Sequence, residues 1–183
     1  MTFAMGVNAE DGHWTVDVKF GGVQRPMNIY GVNGVVDSGA GFGIGIGYQK
    51  NIKEFSGWNL AWDVVSVDYA APFNSPADFD LLAVRTGLRL FTPTFWNDNF
   101  RVYTNLAPGY SCGIWREGNI GAWYDPTTGA VIVVDDSMKA HHGFGLSFGV
   151  GIQFKEKFSL GYTLQYETAG KTKCHFATFG WTF

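Results

Sequence analysis

A set of spaced charges, four histidines and two cysteines are the residues of this chain that could do chemistry. The charges are Asp17, Lys19, Asp63, Arg85, Arg89, Arg101 and Glu167. They fall on the small and polar face of alternating segments, so those segments could gather them in one enclosed space. A charge taken out of water must be paired or solvated. Gathered charges of both signs therefore either pair off and plug the space or line a constriction for ions. The histidines offer less. His141 and His142 adjoin, and neighbours on an extended strand point to opposite sides, while His13 and His175 lie elsewhere. No Cys, Asp or Glu completes a recognised ligand spacing, so neither a metal nor another cofactor is expected. Ser, His and acidic residues occur without any motif of nucleophilic catalysis. The chain is therefore not expected to be an enzyme, and a lipid-modifying surface enzyme is the least supported reading. Gly41–Gly47 is not a dinucleotide fingerprint, because its glycines recur at period two and no helix follows.

The elements that must position these residues are strands, because the hydrophobic period is two almost everywhere. In 39–50, Ala40, Phe42, Ile44, Ile46 and Tyr48 alternate with Gly41, Gly43, Gly45, Gly47 and Gln49. In 142–154, Phe144, Leu146, Phe148, Val150, Ile152 and Phe154 alternate with Gly, Ser and Gln. In 158–168, Phe158, Leu160, Tyr162, Leu164 and Tyr166 alternate with Ser159, Gly161, Thr163, Gln165 and Glu167. Less regular segments at 13–22, 58–69, 79–91, 100–111 and 174–183 bring the count to eight. The pattern fails at Val64-Val65-Ser66-Val67, and Pro108 predicts a bulge or an early end in its strand. A soluble sandwich would put charged or bulky polar residues on its open face. Here that face is Gly, Ser and Thr, which suits the crowded interior of a narrow closed barrel, and the large apolar face suits lipid.

Composition points the same way. Charged residues make up 16% of 183 residues, while Gly numbers 25 and Phe 16. No apolar run approaches the 18 or so residues of a membrane-crossing helix. The formal net charge of −3 argues against nucleic acid as a partner. The segments suit one domain, 1–183, folded as an eight-stranded antiparallel up-and-down transmembrane β-barrel, with ten strands as the alternative. Met1–Glu10 has neither a basic start nor an apolar core, so an export leader is expected to have been removed, and 1–12 is expected to be a periplasmic N-terminal segment.

Connections alternate between long (Val23–Ser38, Ala70–Asp78, Cys112–His141) and shorter (Asn51–Gly57, Thr92–Asn99, Lys155–Lys157), with only Ala169–Lys173 short on the long side. Short periplasmic turns and long outer loops are usual in such barrels, which puts both termini in the periplasm. An aromatic girdle of Trp14, Tyr48, Trp58, Phe91, Phe100, Phe154, Phe158, Trp181 and Phe183 is then expected near that boundary. The chain ends on Phe179, Trp181 and Phe183. This alternating close resembles the terminal signal by which bacterial outer-membrane barrels are recognised for assembly. The whole pattern resembles the small outer-membrane barrels of the OmpA transmembrane domain and OmpX type, and the Gly-rich strands resemble porin-like barrels common in Bacteroidetes. The resemblance implies a bacterial outer-membrane protein with membrane lipids, lipopolysaccharide and the barrel assembly machinery as partners.

Two features remain for the loops. Cys112 and Cys174 both fall near the outer rim, where a disulfide is chemically permitted. Their strands, however, lie far apart round a barrel, and bonded Cα atoms stand within about 7 Å. In the longest connection, 121–124, Asp125-Pro126-Thr127-Thr128-Gly129 and 130–134 read as strand, turn, strand. That hairpin would present Trp115, Trp123 and Tyr124, residue types enriched at binding hot spots. The expectation is a plugged barrel acting through its outer loops in surface recognition, docking of an extracellular or envelope partner, or envelope support. A narrow pore or transporter for small solutes is the competing expectation.

Overall fold

A strand whose two faces differ this sharply needs an enclosed side for its small residues and an apolar environment for its large ones. Closing the sheet on itself supplies the first and leaves no unpaired edge. The computed structural model of the protein describes residues 12–29, 32–73, 79–117, 122–124, 127, 131–133 and 137–183, with the backbone alone described at the strand tips 25–29, 32–38, 79, 115–117, 122–124, 131–133 and 137. The barrel strands are β1 (Gly12–Ile29), β2 (Val32–Phe55), β3 (Trp58–Pro72), β4 (Phe79–Phe91), β5 (Phe100–Glu117), β8 (Ser137–Phe154), β9 (Phe158–Glu167) and β10 (Thr172–Thr182). They form one closed antiparallel meander, in which β1 pairs with both β2 and β10. Between β5 and β8, β6 (Ala122–Tyr124) and β7 (Val131–Val133) pair with each other in a separate two-stranded sheet, Trp123 opposite Ile132. The strand–turn–strand expectation therefore holds, and the hairpin stays out of the barrel. The barrel has eight strands rather than ten.

One end of the barrel carries tight turns. Ser56 and Gly57 turn β2 into β3 with φ of 49° and 79°, the mirror-image turn conformation that suits the twist of a hairpin. Lys155 and Glu156 do the same between β8 and β9. At the other end, the loop end, the strands outrun their expected limits. β1 and β2 continue as a paired hairpin to Ile29 and Val32, so most of the expected long loop 23–38 is sheet. β5 and β8 stay paired up to Glu117 and Ser137, which shortens the expected loop 112–141. Between these two hairpins β9 and β10 turn low, through a short 3-10 segment at Ala169–Lys171.

The loss of pattern after Asp63 is a β-bulge. Asp63 faces Gly87 on β4, but Ser66 faces Arg85, and the register against β2 slips at the same place. One extra residue reverses which side each later side chain occupies. Before the bulge, Ala61 and Asp63 point inward and Trp62 outward; after it, Val65 and Val67 point outward and Asp68 and Ala70 inward. Pro108 neither bulges nor ends its strand. β5 runs through it, Pro108 keeps its place opposite Leu146 on β8, and pairing to β4 lapses only between Arg85–Gly109 and Leu88–Leu106, with the register unchanged. A lapse on one side is what a residue without an N–H donor requires.

The exterior is apolar and exposed. Ile44, Leu146, Phe148 and Leu160, assigned to the outer face by alternation, all lie on it, about half exposed. Of the expected aromatic girdle, Trp14, Trp58, Phe158, Trp181 and Phe183 are exposed at the turn end. Phe91 is a correction: it is 1% exposed and points into the lumen. Counted along β4 from Arg85 and Arg89, Phe91 has inward parity, so alternation itself places it inside. The chain closes where Trp14 and Phe183 exchange two backbone hydrogen bonds of 3.0 Å, which fixes the terminal strand against the first. Residues 1–11 of the expected N-terminal segment lie outside the described residues.

Candidate functional site

Glycine on β2 is what lets charge enter the lumen. Gly41, Gly43, Gly45 and Gly47 present a bare wall between β1 and β3, and the side chains of Lys19 and Asp68 meet across it. A Cβ placed on Gly45 would stand 2.5 Å from Asp68 Oδ1 and 3.4 Å from Lys19 Nζ. On the opposite wall, a Cβ on Gly145 would occupy the place of the Glu167 carboxylate. The small-residue face of these strands is therefore the space that the ion pairs fill.

The pairs run from wall to wall. The Lys19 ammonium on β1 donates to Asp68 Oδ1 on β3. Arg85 on β4 donates through Nη1 to Asp68 Oδ2 and through Nη2 to Glu167 Oε1 on β9. Strand β9 lies three places round the barrel from β4, so this last pair crosses the lumen. Arg85 and Glu167 are almost completely buried. Nearer the turn end, Arg89 Nε and Nη2 each donate to Asp63 Oδ2 at 3.3 Å. Asp17 lines the same small cavity as Lys19, Asp63, Asp68, Arg85 and Arg89, a space of about 40 Å³. Arg101 lies apart from these, at the turn end. Its Nε donates to Gln153 Oε1 at 2.7 Å, its Nη1 stands 3.3 Å from Glu156, and its guanidinium covers the Phe91 ring at 3.9 Å.

Five of the seven charges singled out from the sequence thus line one space, Glu167 joins them through Arg85, and Arg101 makes its contacts below them. The residue that sequence reasoning missed is Asp68, the hub joining Lys19 to Arg85. Its signal was present. Val65, Val67 and Tyr69 alternate with Ser66 and Asp68, and a one-residue slip at Val64 would have put Asp68 inside.

Apolar clusters stand on both sides of the ions. At the loop end Val23, Ala70, Leu81, Cys174 and Phe176 form a buried cluster. At the turn end Ala61, Phe91 and Tyr103 form another. Between such layers ion pairs are screened little by water, which raises both their attraction and the cost of breaking one.

The disulfide that the compartment permits, and that strand separation disfavours, is absent. Cys112 and Cys174 are both free. Cys112 follows the outward parity of Leu106 and Tyr110 on β5, whereas Cys174 is wholly buried in the lumen of β10. Two thiols on opposite faces of a wall, three strands apart, have no path to each other. A thiol reagent such as dithionitrobenzoate should therefore titrate a single thiol, that of Cys112, in the folded barrel and both after denaturation. No reactive thiol in either state would indicate a bond.

Among the described residues no three His, Cys, Asp or Glu side chains converge as a metal site. His175 Nδ1 instead shares a hydrogen bond of 3.0 Å with the Tyr162 hydroxyl on the outer wall. The side chains of Trp115, Trp123 and Tyr124 lie outside the described residues; the backbone places the last two on β6 of the loop-end hairpin. Phe179, Trp181 and Phe183 are exposed on the outer face, in line along the closing strand.

No known protein family matches the sequence, and no curated protein matches it. Solved structures do match over nearly the whole chain. Neisserial surface protein A aligns with a TM-score of 0.56 at 14% identity, covering 96% of this chain and 97% of that one. Ail, the attachment invasion locus protein of Yersinia pestis, aligns with a TM-score of 0.48 at 13% identity over 94% and 99% of the two chains. The N-terminal β-barrel domain of Pseudomonas aeruginosa OprF aligns with a TM-score of 0.48 at 12% identity over 92% and 97%. At these identities the likeness is one of fold: the chain is a closed eight-stranded antiparallel barrel of the kind formed by Neisserial surface protein A.

Proposed function

We propose that the protein is an integral outer-membrane barrel with a plugged lumen, both termini in the periplasm, whose loop end carries a recognition role. The membrane reading is supported by the exterior. Side chains such as Ile46, Leu88, Leu106 and Phe148 are about half exposed over the whole circumference. Exposed apolar area on that scale is not stable in water, but it matches the lipid-facing band of a barrel.

The observation that carries the plugged reading is the Arg85–Glu167 pair crossing the lumen between two apolar clusters. The cavity beside it, at about 40 Å³, holds a few waters at most. In planar bilayers the barrel should be electrically silent at neutral pH. Discrete, reproducible conductance steps would instead favour the narrow pore.

Recognition is supported by the β6–β7 hairpin standing outside the barrel sheet. Because β5 and β8 are already paired at Glu117 and Ser137, a short turn replacing 118–136 should leave the barrel intact. It should still shift on a gel with heating, while binding of an extracellular or envelope partner through Trp123 and Tyr124 is lost. Collapse of the barrel would make the hairpin a structural lid instead. Recognition of Phe179, Trp181 and Phe183 by the assembly machinery, and contact with lipopolysaccharide, belong to the same proposal.

A further inference from the structure

We propose that the outer wall of β8, β9 and β10 at the loop end is a binding site for a phosphate-bearing lipid of the outer leaflet, a proposal that rests on the membrane reading above. Lys171 and Lys173 would hold the phosphate, and the wall below them would hold an acyl chain.

Register sets out the site in two rows. In the upper row Leu146 on β8 stands opposite Tyr166 on β9, and Tyr166 opposite Lys173 on β10. In the lower row Phe148 stands opposite Leu164, and Leu164 opposite His175. Together they line a groove of about 330 Å³. The polar end of each row is on β10 and the apolar end on β8. His175 is already bonded to Tyr162, so it does not need water at that depth.

The headgroup position comes from the shape of the rim. β9 and β10 turn at Ala169–Lys171, whereas β1–β2 and β5–β8 on either side continue upward as paired hairpins. The low turn is a notch between taller walls, and Gly170 and Lys171 hold it tight with φ of 59° and 52°. Lys171 and Lys173 are exposed in this notch and have no carboxylate within ion-pair distance among the described residues. The acid nearest in sequence, Glu167, points inward and is held by Arg85. Lys173 lines the apolar groove and Lys171 is exposed in the turn that closes it, so two unpaired ammonium groups at its rim complement an anion attached to acyl chains; a lysine near a membrane surface adds about 1 kcal/mol of attraction to anionic lipid. A larger groove of about 580 Å³ at the turn end, floored by Val18, Ile152, Leu160 and Phe179, has no lysine in its lining. Lys155 beside it stands 5.2 Å over the Phe154 ring, at the rim opposite the outer leaflet.

The test uses the full chain folded in non-ionic detergent and native mass spectrometry. It is titrated with diphosphorylated lipid A, with the same lipid stripped of its phosphates, and with phosphatidylcholine, whose own ammonium balances its phosphate and which should bind as weakly as the stripped lipid. The wild type should retain one lipid A, and the Lys171→Ser/Lys173→Ser variant should retain it roughly thirtyfold more weakly. The stripped lipid should bind the wild type roughly thirtyfold more weakly than lipid A does, a comparison that needs no mutant to fold. Lys155→Ser/Lys157→Ser, the same charge change at the opposite rim, should bind like the wild type. Equal retention by the Lys171/Lys173 variant, no preference for the phosphorylated lipid, or a lipid-free dimer seated through this wall overturns the proposal. Flotation with phospholipid vesicles separates the two layers of inference. A barrel that does not float removes the membrane reading and this site together, and one that floats without discriminating lipids removes only the site.

Discussion

Replacing Arg85 with Ala should destabilise the barrel by about 3–5 kcal/mol, the range for breaking a buried ion pair from one side. Arg85 is the only cation that touches Glu167 among the described residues, and it shares Asp68 with Lys19. Its removal leaves Glu167, which is fully buried, with no counter-charge in contact. Unfolding by urea in phospholipid vesicles measures the loss. A triple variant, Arg85→Met with Asp68→Asn and Glu167→Gln, separates charge from packing. With the carboxylates neutralised, much of the stability should return, because apolar or neutral replacements of a buried ion network are often tolerated. If Arg85→Ala unfolds at the wild-type urea concentration, the lumen is wetter than the geometry implies. The plugged reading would then give way to the pore.

Ile44→Arg should cost about 2–4 kcal/mol in the same assay, the depth-dependent penalty for a cation on the lipid face near the midplane. Ile44 lies between Val18 and Tyr69 on the outer face, about half exposed. Trp96→Arg is the matched control. Trp96 is 76% exposed in the turn-end connection, beyond the apolar band, so a charge there should cost close to nothing. Equal stability of the two variants would remove the membrane reading, since only a lipid exterior distinguishes the sites.

The Ile44 result follows from the chain alone, the Arg85 result only in part, and the reasons differ by residue. The faces of β2, β8 and β9 were legible because glycine alternates with large apolar residues without interruption from Ala40 to Tyr48, from Phe144 to Phe154 and from Phe158 to Tyr166. A strict period of two has only one reading in a sheet. The tight turns, the eight barrel strands and the separate loop-end hairpin followed from the same local signals. So did the inward parity of Asp17, Lys19, Asp63, Arg85, Arg89, Arg101 and Glu167.

What only the tertiary structure decided was partnership. Arg85 and Glu167 are 82 positions apart, and no local pattern says which two strands face each other across a closed sheet. Asp68 escaped notice because a bulge is a property of pairing: the extra residue at Val64 is defined against Gly87 and Arg85 on the next strand, not within β3. Both cysteines fall near the same rim, and parity with Leu106 and against Phe179 already turns them to opposite faces; the structure adds that Cys174 is sealed among lumen residues and that neither thiol pairs. That Ala169–Lys173 is a short link on the long-loop side was legible; that it lies in a notch was not, because the notch is made by the paired height of the neighbouring hairpins. Alternation determines which way a side chain points. Closure, register and strand length determine what it meets there.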